Sequence, residues 1–266
     1  MDIFLIIGLV LGCLTVIVGM IVKGANIAVL LNPAAAIIII IGTIAAVMNS
    51  YPRSEFLNVP RVLGAAFREK QQQDPVKLIE MITELAQSAR RDGLLSLEQT
   101  IESIEDRFLQ KGLTLVVDGL EQDYIREIME TEIDNMEERH KANAAIFSTA
   151  GGTAPTLGVL GAVVGLIGAM GFLDDTEKLA HMIAAAFVAT LFGIFLGYVV
   201  CHPIATRLKR KSQIETRNMY LILEGVIALQ AGENPSSIKM RLTGMLDPKS
   251  RKKIEDNEKA KQGSAE

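Results

Sequence analysis

Long uncharged stretches alternate along this chain with long, densely charged ones. Residues 3–22 (IFLIIGLVLGCLTVIVGMIV), 33–51 (PAAAIIIIIGTIAAVMNSY), 153–173 (TAPTLGVLGAVVGLIGAMGFL) and 179–201 contain no Asp, Glu, Lys or Arg. Each is close to the ~20 apolar residues that cover a bilayer core of ~30 Å. Backbone groups in lipid must find their partners internally, so these runs predict four membrane-spanning helices. The first run has no basic segment ahead of it and no clear small-residue cleavage site, and it reads as a retained span rather than a leader.

Between the second and third spans the pattern changes to an amphipathic one. Leu78, Ile82 and Leu85, then Leu97, Ile101 and Ile104, recur at helical spacing, punctuated by Gly93, Gly112 and Gly119, and Ser96 with Gln99 offers a capping-box start. Ile125, Ile128, Met129, Ile133 and Met136 form an apolar stripe on a charged helix that nothing interrupts before Gly151 and Gly152. That helix is expected to run straight into the third span. Leu208, Ile214, Leu221 and Ile222 continue a helical pattern beyond the fourth span in the same way. The expected architecture is an all-α integral membrane protein: spans 1 and 2 in residues 1–51, a helical domain in 52–141, spans 3 and 4 in 142–206, a helical tail in 207–246, and a polar, Lys-rich, disordered segment in 247–266.

Charge adds orientation. The connection at 23–33 holds one base and that at 174–178 is mostly acidic, whereas Arg53, Arg61, Arg139, Lys141, Arg207, Lys209, Arg210 and Lys211 flank the other span ends. Both termini and the long loop are therefore expected in the cytoplasm. Residues 52–141 carry 12 bases against 19 acids, and residues 207–266 carry 13 bases against 8 acids. These opposite balances favour packing of the two parts on each other.

Within the spans, small residues lie in rows that let helix backbones approach closely: Gly8, Gly12, Thr15 and Gly19; Gly158, Gly161, Gly165 and Gly168; Ala185, Ala189, Gly193 and Gly197. The spans supply hydroxyls at Thr43, Thr153, Thr156, Thr190 and Tyr198, with His181 and His202 near opposite span ends, but no carboxylate. A proton pathway here would need its acid from a partner. Pro155 and Pro203 leave the carbonyls of Gly151 and Val199 without their helical donors, giving either a static kink or a hinge. Cys13 and Cys201 fall in or at the end of spans and read as packing residues. No nucleophile–base pair, metal-ligand spacing or phosphate-binding glycine loop is present, so an enzyme, a metal, a cofactor and a nucleic-acid ligand are not expected.

Three motifs carry a family resemblance: NPAAAIIIIIGT at 32–43, SARRDGLLSLEQTIE at 88–102, and APTLGVLGAVVGLIGAM with AAAFVATLFGIFLGYVVCHPIATRLKRKS at 154–170 and 184–212. Over about residues 1–245 the chain resembles the flagellar motor stator A-subunits, MotA and its sodium-driven relative PomA. The resemblance implies a bacterial inner-membrane protein that forms a ring of five around two B-subunits of MotB type. Their single spans bring a proton-accepting aspartate, and ion flow turns the ring against the flagellar rotor. It further implies that Arg90 and Glu98 face the rotor protein FliG, with Arg91 beside them as a second candidate for the positive charge. Pro155 and Pro203 match the two motor prolines and Thr190 the pathway threonine, while Ala162 stands where sodium-driven relatives carry a threonine, which points to the proton as coupling ion. The competing readings are an ExbB/TolQ-type proton-channel subunit, a family with three spans, and a membrane scaffold, which gives Thr190 and the prolines no task.

Overall fold

The computed structural model describes residues 3–68 and 73–263, and among them every regular element is helical. The membrane-length helix α1 is Ile3–Val22, and after a short 3-10 turn (Ile27–Leu30) comes α2, Pro33–Ser50. Asn32 starts α2 by accepting the Ala35 amide, and Pro33 occupies the first turn, where a missing N–H costs nothing. Then follow α3 (Arg53–Phe56), α4 (Val59–Phe67), α5 (Pro75–Asp92), α6 (Glu98–Ile101) and α7 (Arg107–Val117). Helix α8, Gln122–Ala169, is 48 residues long and joins the charged stripe to the third span without a break, as the sequence pattern requires. Next come α9 (Thr176–Ile194), a π-helical segment (Phe195–Cys201), α10 (His202–Gln230), α11 (Pro235–Gly244) and α12 (Pro248–Gly263).

The chain divides into two compact units, one made of Met1–Lys70 and Arg139–Lys211, the other of Gln71–Glu138 and Ser212–Glu266. The first holds the span-forming segments, and four helices in the described residues are long and apolar enough to cross a membrane. Its large apolar side chains point outward, among them Phe4, Ile37, Ile167 and Phe187, as suits a protein solvated by lipid. Inside, Ala35 and Ile39 of α2 pack on Ala189, Phe192 and Leu196. Helix α4 buries Val62 and Ala66 against Phe147, Ile204 and Ala205, and Lys211 caps its C-terminal end by donating to the carbonyls of Ala65, Ala66 and Arg68. Residues 53–68 therefore belong with the spans and not, as expected, with the rest of the 52–141 loop.

The second unit has its own core, with Ile79, Ile82, Leu97, Leu109, Leu113, Ile125, Met129 and Ile133 closing on Leu221, Ile222, Leu223, Ile238 and Leu242. The acidic and basic segments do pack together. Apolar burial does most of this work: each such side chain gives about 1.5–3 kcal/mol, whereas a partly exposed ion pair such as Arg126–Glu224 (2.9 Å) gives about 1 kcal/mol or less.

Three local expectations are corrected here. Gly112 does not end a helix; it lies within α7, where a Cβ would stand 2.7 Å from the Met129 methyl and 3.1 Å from Val226. Ser96 forms no capping box, because it sits in a 3-10 turn (Leu94–Leu97) and donates to the Gly93 carbonyl instead. The segment expected to be disordered from residue 247 is helical: Asp247 accepts the amides of Lys249 and Ser250, Ile254 is buried in the core, and Arg251 donates to the carbonyls of Leu246 and Gly244.

Candidate functional site

The candidate pathway and coupling residues all lie in the first unit, on α8, α9 and the start of α10. Glycines set how near α8 and α9 come. A Cβ on Gly158 would stand 2.9 Å from the Ala189 carbonyl oxygen, and one on Gly193 would stand 2.5 Å from that of Ala154. Gly161 and Gly165 meet Ala189 and Ala186 in the same seam. The rows in the third and fourth spans are thus spent on packing within the chain, while in α1 only Gly12 meets a neighbour, Val199, and Gly8 and Gly19 face open space. Thr190 sits in the seam, half-buried, its Oγ1 donating to the Gly158 carbonyl at 3.4 Å. That bond is at the weak end of the hydrogen-bond range, so the hydroxyl keeps most of its capacity for another partner. Ala162 is also half-buried and adjoins Gly161, as Thr190 adjoins Ala189, so both candidates flank one contact.

The two prolines change the backbone hydrogen bonding of α8 and of the turn before α10. Pro155 lies inside α8, and the Gly151 carbonyl it frees points at Gly197, where a Cβ would come within 2.6 Å of that oxygen and 2.8 Å of the proline ring. Pro203 has no N–H to offer Val199, and the turn before it widens until the His202 amide bonds to Gly197, five residues back. That is the π-helical pattern, an arrangement common at functional sites. Sequence reasoning named the prolines but did not foresee the widened turn.

It also missed Asn32, whose Nδ2 donates to the Ala185 carbonyl at 3.1 Å and ties the start of α2 to α9. The signal was present, since an Asn ahead of a helix-starting Pro caps with its oxygen and leaves its amide free. Thr43 is buried in α2 and its hydroxyl has no partner among the described residues. Cys201 is buried as a packing residue, but Cys13 is exposed on α1.

The charged candidates lie in the second unit, on the turn between α5 and α6. Arg90, Arg91 and Glu98 are all exposed, and Gly93 allows the reversal with a φ of 85°. Arg91 is committed to Asp92 through contacts of 2.8 and 3.0 Å. The hydrogen bond from Arg91 holds the Asp92 carboxyl below the usual carboxylate range, and Asp92 in turn raises the guanidinium. Arg90 and Glu98 pair with no side chain among the described residues, and they are the uncompensated charges of the turn.

The fold and seam define a multi-span helical membrane protein, and the chain matches the MotA/TolQ/ExbB proton channel family over residues 100–220. Residues 6–93 match the Motility protein A N-terminal family. Motility protein A of Bacillus subtilis (strain 168) is 47% identical over 99% of this chain and 97% of its own length. Chemotaxis protein PomA of Vibrio alginolyticus is 34% identical over 93% of this chain and 96% of its own. The structure of the flagellar MotAB stator complex from Bacillus subtilis contains a similar chain, with a TM-score of 0.89 at 48% identity, covering 94% of this chain and 98% of that one. The chain belongs to the MotA/PomA family of flagellar motor stator proteins, which are multi-pass proteins of the bacterial inner membrane.

Proposed function

We propose that this chain is the ring-forming subunit of a proton-driven stator, assembling as a homopentamer around a MotB-type B-subunit. The observation that carries this reading is the contrast within the spans: they are built for close helix packing and offer hydroxyls, yet hold no Asp, Glu, Lys or Arg. A subunit so made can line a proton path but cannot bind the proton, so a partner's membrane aspartate has to do so. The related solved chain is described as part of a MotAB stator complex, which supports a B-subunit in that role.

In this reading Thr190 orders a water next to the partner carboxylate. Ala162 presents a methyl, so the site lacks the added oxygen a sodium ion would need to replace its hydration shell. Pro155 and Pro203 let the seam change shape as the carboxylate gains and loses charge. The basic span flanks favour an orientation with both termini and the loop in the cytoplasm, and in this reading Arg90 and Glu98 there engage the rotor protein FliG and transmit torque. The Motility protein A N-terminal match favours this reading over the ExbB/TolQ alternative.

The test is proton uptake into liposomes carrying a pH-sensitive dye. This chain alone should give no flux above lipid background, and co-reconstitution with its B-subunit should give flux that disappears when the B-subunit's aspartate is replaced by asparagine. Flux of equal size from this chain alone would overturn the proposal.

A further inference from the structure

The stator reading leaves His202 without a task, although an ionisable side chain at the end of a membrane span is a functional candidate in its own right. It is the first residue of α10, immediately after the π-helical segment, and it is half-buried. Packing fixes its ring. A Cβ on Gly151 would lie 2.9 Å from its Cγ and Nδ1 and 3.0 Å from its Cδ2, so the glycine of α8 is what admits the imidazole there. On its own helix the Tyr198 ring lies 5.3 Å away between centroids, tilted by 42°. Hydrogen bonds contribute nothing to this placement: neither ring nitrogen of His202 nor the Tyr198 hydroxyl has a partner among the described residues. Half-buried imidazoles ordinarily find such partners, so these nitrogens are left for water.

The position is as telling as the chemistry. Thr190 reaches α8 at Gly158 and His202 reaches it at Gly151, two helical turns apart on one face of α8, with Gly197 seated on Pro155 between them. The seam therefore carries the Thr190 hydroxyl and, two turns along, the imidazole of His202, with the exposed Tyr198 ring lying against that imidazole. An imidazole can accept a proton at one ring nitrogen and give one up from the other, which suits it to a relay.

We infer that His202, assisted by Tyr198, relays the proton between the partner's carboxylic acid and the cytoplasm. The inference rests on the proton-driven stator reading. A water protonated by the B-subunit's carboxylic acid passes its proton to the free imidazole nitrogen, and the imidazolium returns a proton to cytoplasmic water. Only N–H and O–H bonds form and break, the carboxylate is regenerated as an anion, and the imidazole ends neutral. Tyr198, able to donate and accept, holds the intervening water.

The experiment uses the whole complex with its B-subunit in dye-loaded liposomes, with co-purification as the measure of assembly. His202→Gln keeps the size and hydrogen-bonding capacity of the side chain but cannot carry a proton at neutral pH. It should lower the initial proton flux about tenfold or more at undiminished assembly. His202→Ala should lose flux similarly, and millimolar imidazole in the buffer should restore it severalfold while leaving the wild type and His202→Gln unchanged. Flux within about twofold of wild type in His202→Gln, or an assembled His202→Ala complex that imidazole does not rescue, would overturn the relay. If even the wild-type complex carries no protons, the stator reading falls and the relay with it, an outcome distinct from both.

Discussion

Arg91 and Asp92 pair with each other, and on this basis we propose a division of work between two adjacent arginines. Arg90 and Arg91 look equivalent in the sequence, because neighbouring residues of one type differ only in the face they present. In the structure Asp92 pairs with Arg91, while Arg90 has no side-chain partner among the described residues. The pair is insensitive to ordinary pH: a carboxyl lowered by folding contributes above its unfolded value and loses that contribution only as pH falls through its lower folded value, below about pH 4. Arg90→Glu and Glu98→Lys should each reduce swimming speed by at least about half at an unchanged membrane level, whereas Arg91→Gln should keep most of it. Tracking of swimming cells with an immunoblot of membrane fractions checks this, and an Arg91 effect equal to that of Arg90 would refute the division. Thr43 gives a second expectation at this scale. A buried hydroxyl with no partner among the described residues stabilises nothing, so Thr43→Val should leave the thermal midpoint of the purified complex unchanged or raise it. A clear fall would reveal a partner outside the chain.

Among the elements, the spans were legible because their length and lack of charge are required by lipid, whatever their tertiary contacts. The widened turn at Phe195–Cys201 was not legible: Pro203 announces a lost donor, but only packing against Gly151 and Pro155 decides that the helix absorbs the loss by a longer-range bond. Helix α12 was misread for a related reason, since Ile254, the one buried residue among the described side chains of a highly charged helix, leaves no stripe to see. The α8–α9 seam yields a graded expectation. Gly197→Ala drives a methyl into a backbone oxygen at 2.6 Å, which cannot move aside, and should destabilise by about 1–3 kcal/mol. Gly19→Ala meets nothing within 4 Å and should leave the fold of the chain intact. Thermal melts of the two variants in detergent should separate them clearly. Pro203→Ala restores a donor to Val199 and should tighten the turn, cutting motility while the protein still inserts, as swimming assays with membrane fractionation would report.

For the whole molecule, the sequence announced that the acidic loop and the basic tail belong together but misplaced residues 53–68. The partners of Val62 and Ala66 are Phe147, Ile204 and Ala205, contacts remote along the chain that no local pattern displays. The coupling ion is also a property of the assembled motor. With Ala162 adding no oxygen ligand beside Thr190, swimming should persist when sodium is replaced by potassium and fall with a protonophore. Strict sodium dependence at constant proton-motive force would contradict the reading of Ala162.

The second unit is assembled from Gln71–Glu138 and Ser212–Glu266, so its birth is split in time. A ribosome adding about 5–20 residues per second needs roughly 4–15 s to make Arg139–Lys211, the stretch between the halves. Throughout that interval Ile79, Ile82, Leu109, Leu113, Ile125, Met129 and Ile133 have been made, and the Leu221–Leu223 side of their core has not. Each nascent chain therefore passes through a stage at which it is anchored in the bilayer and adhesive, exposed to chaperones and proteases alike. A chain truncated after Lys211 is that stage made permanent. It should insert normally and then be degraded much faster than the full-length protein in a pulse–chase experiment.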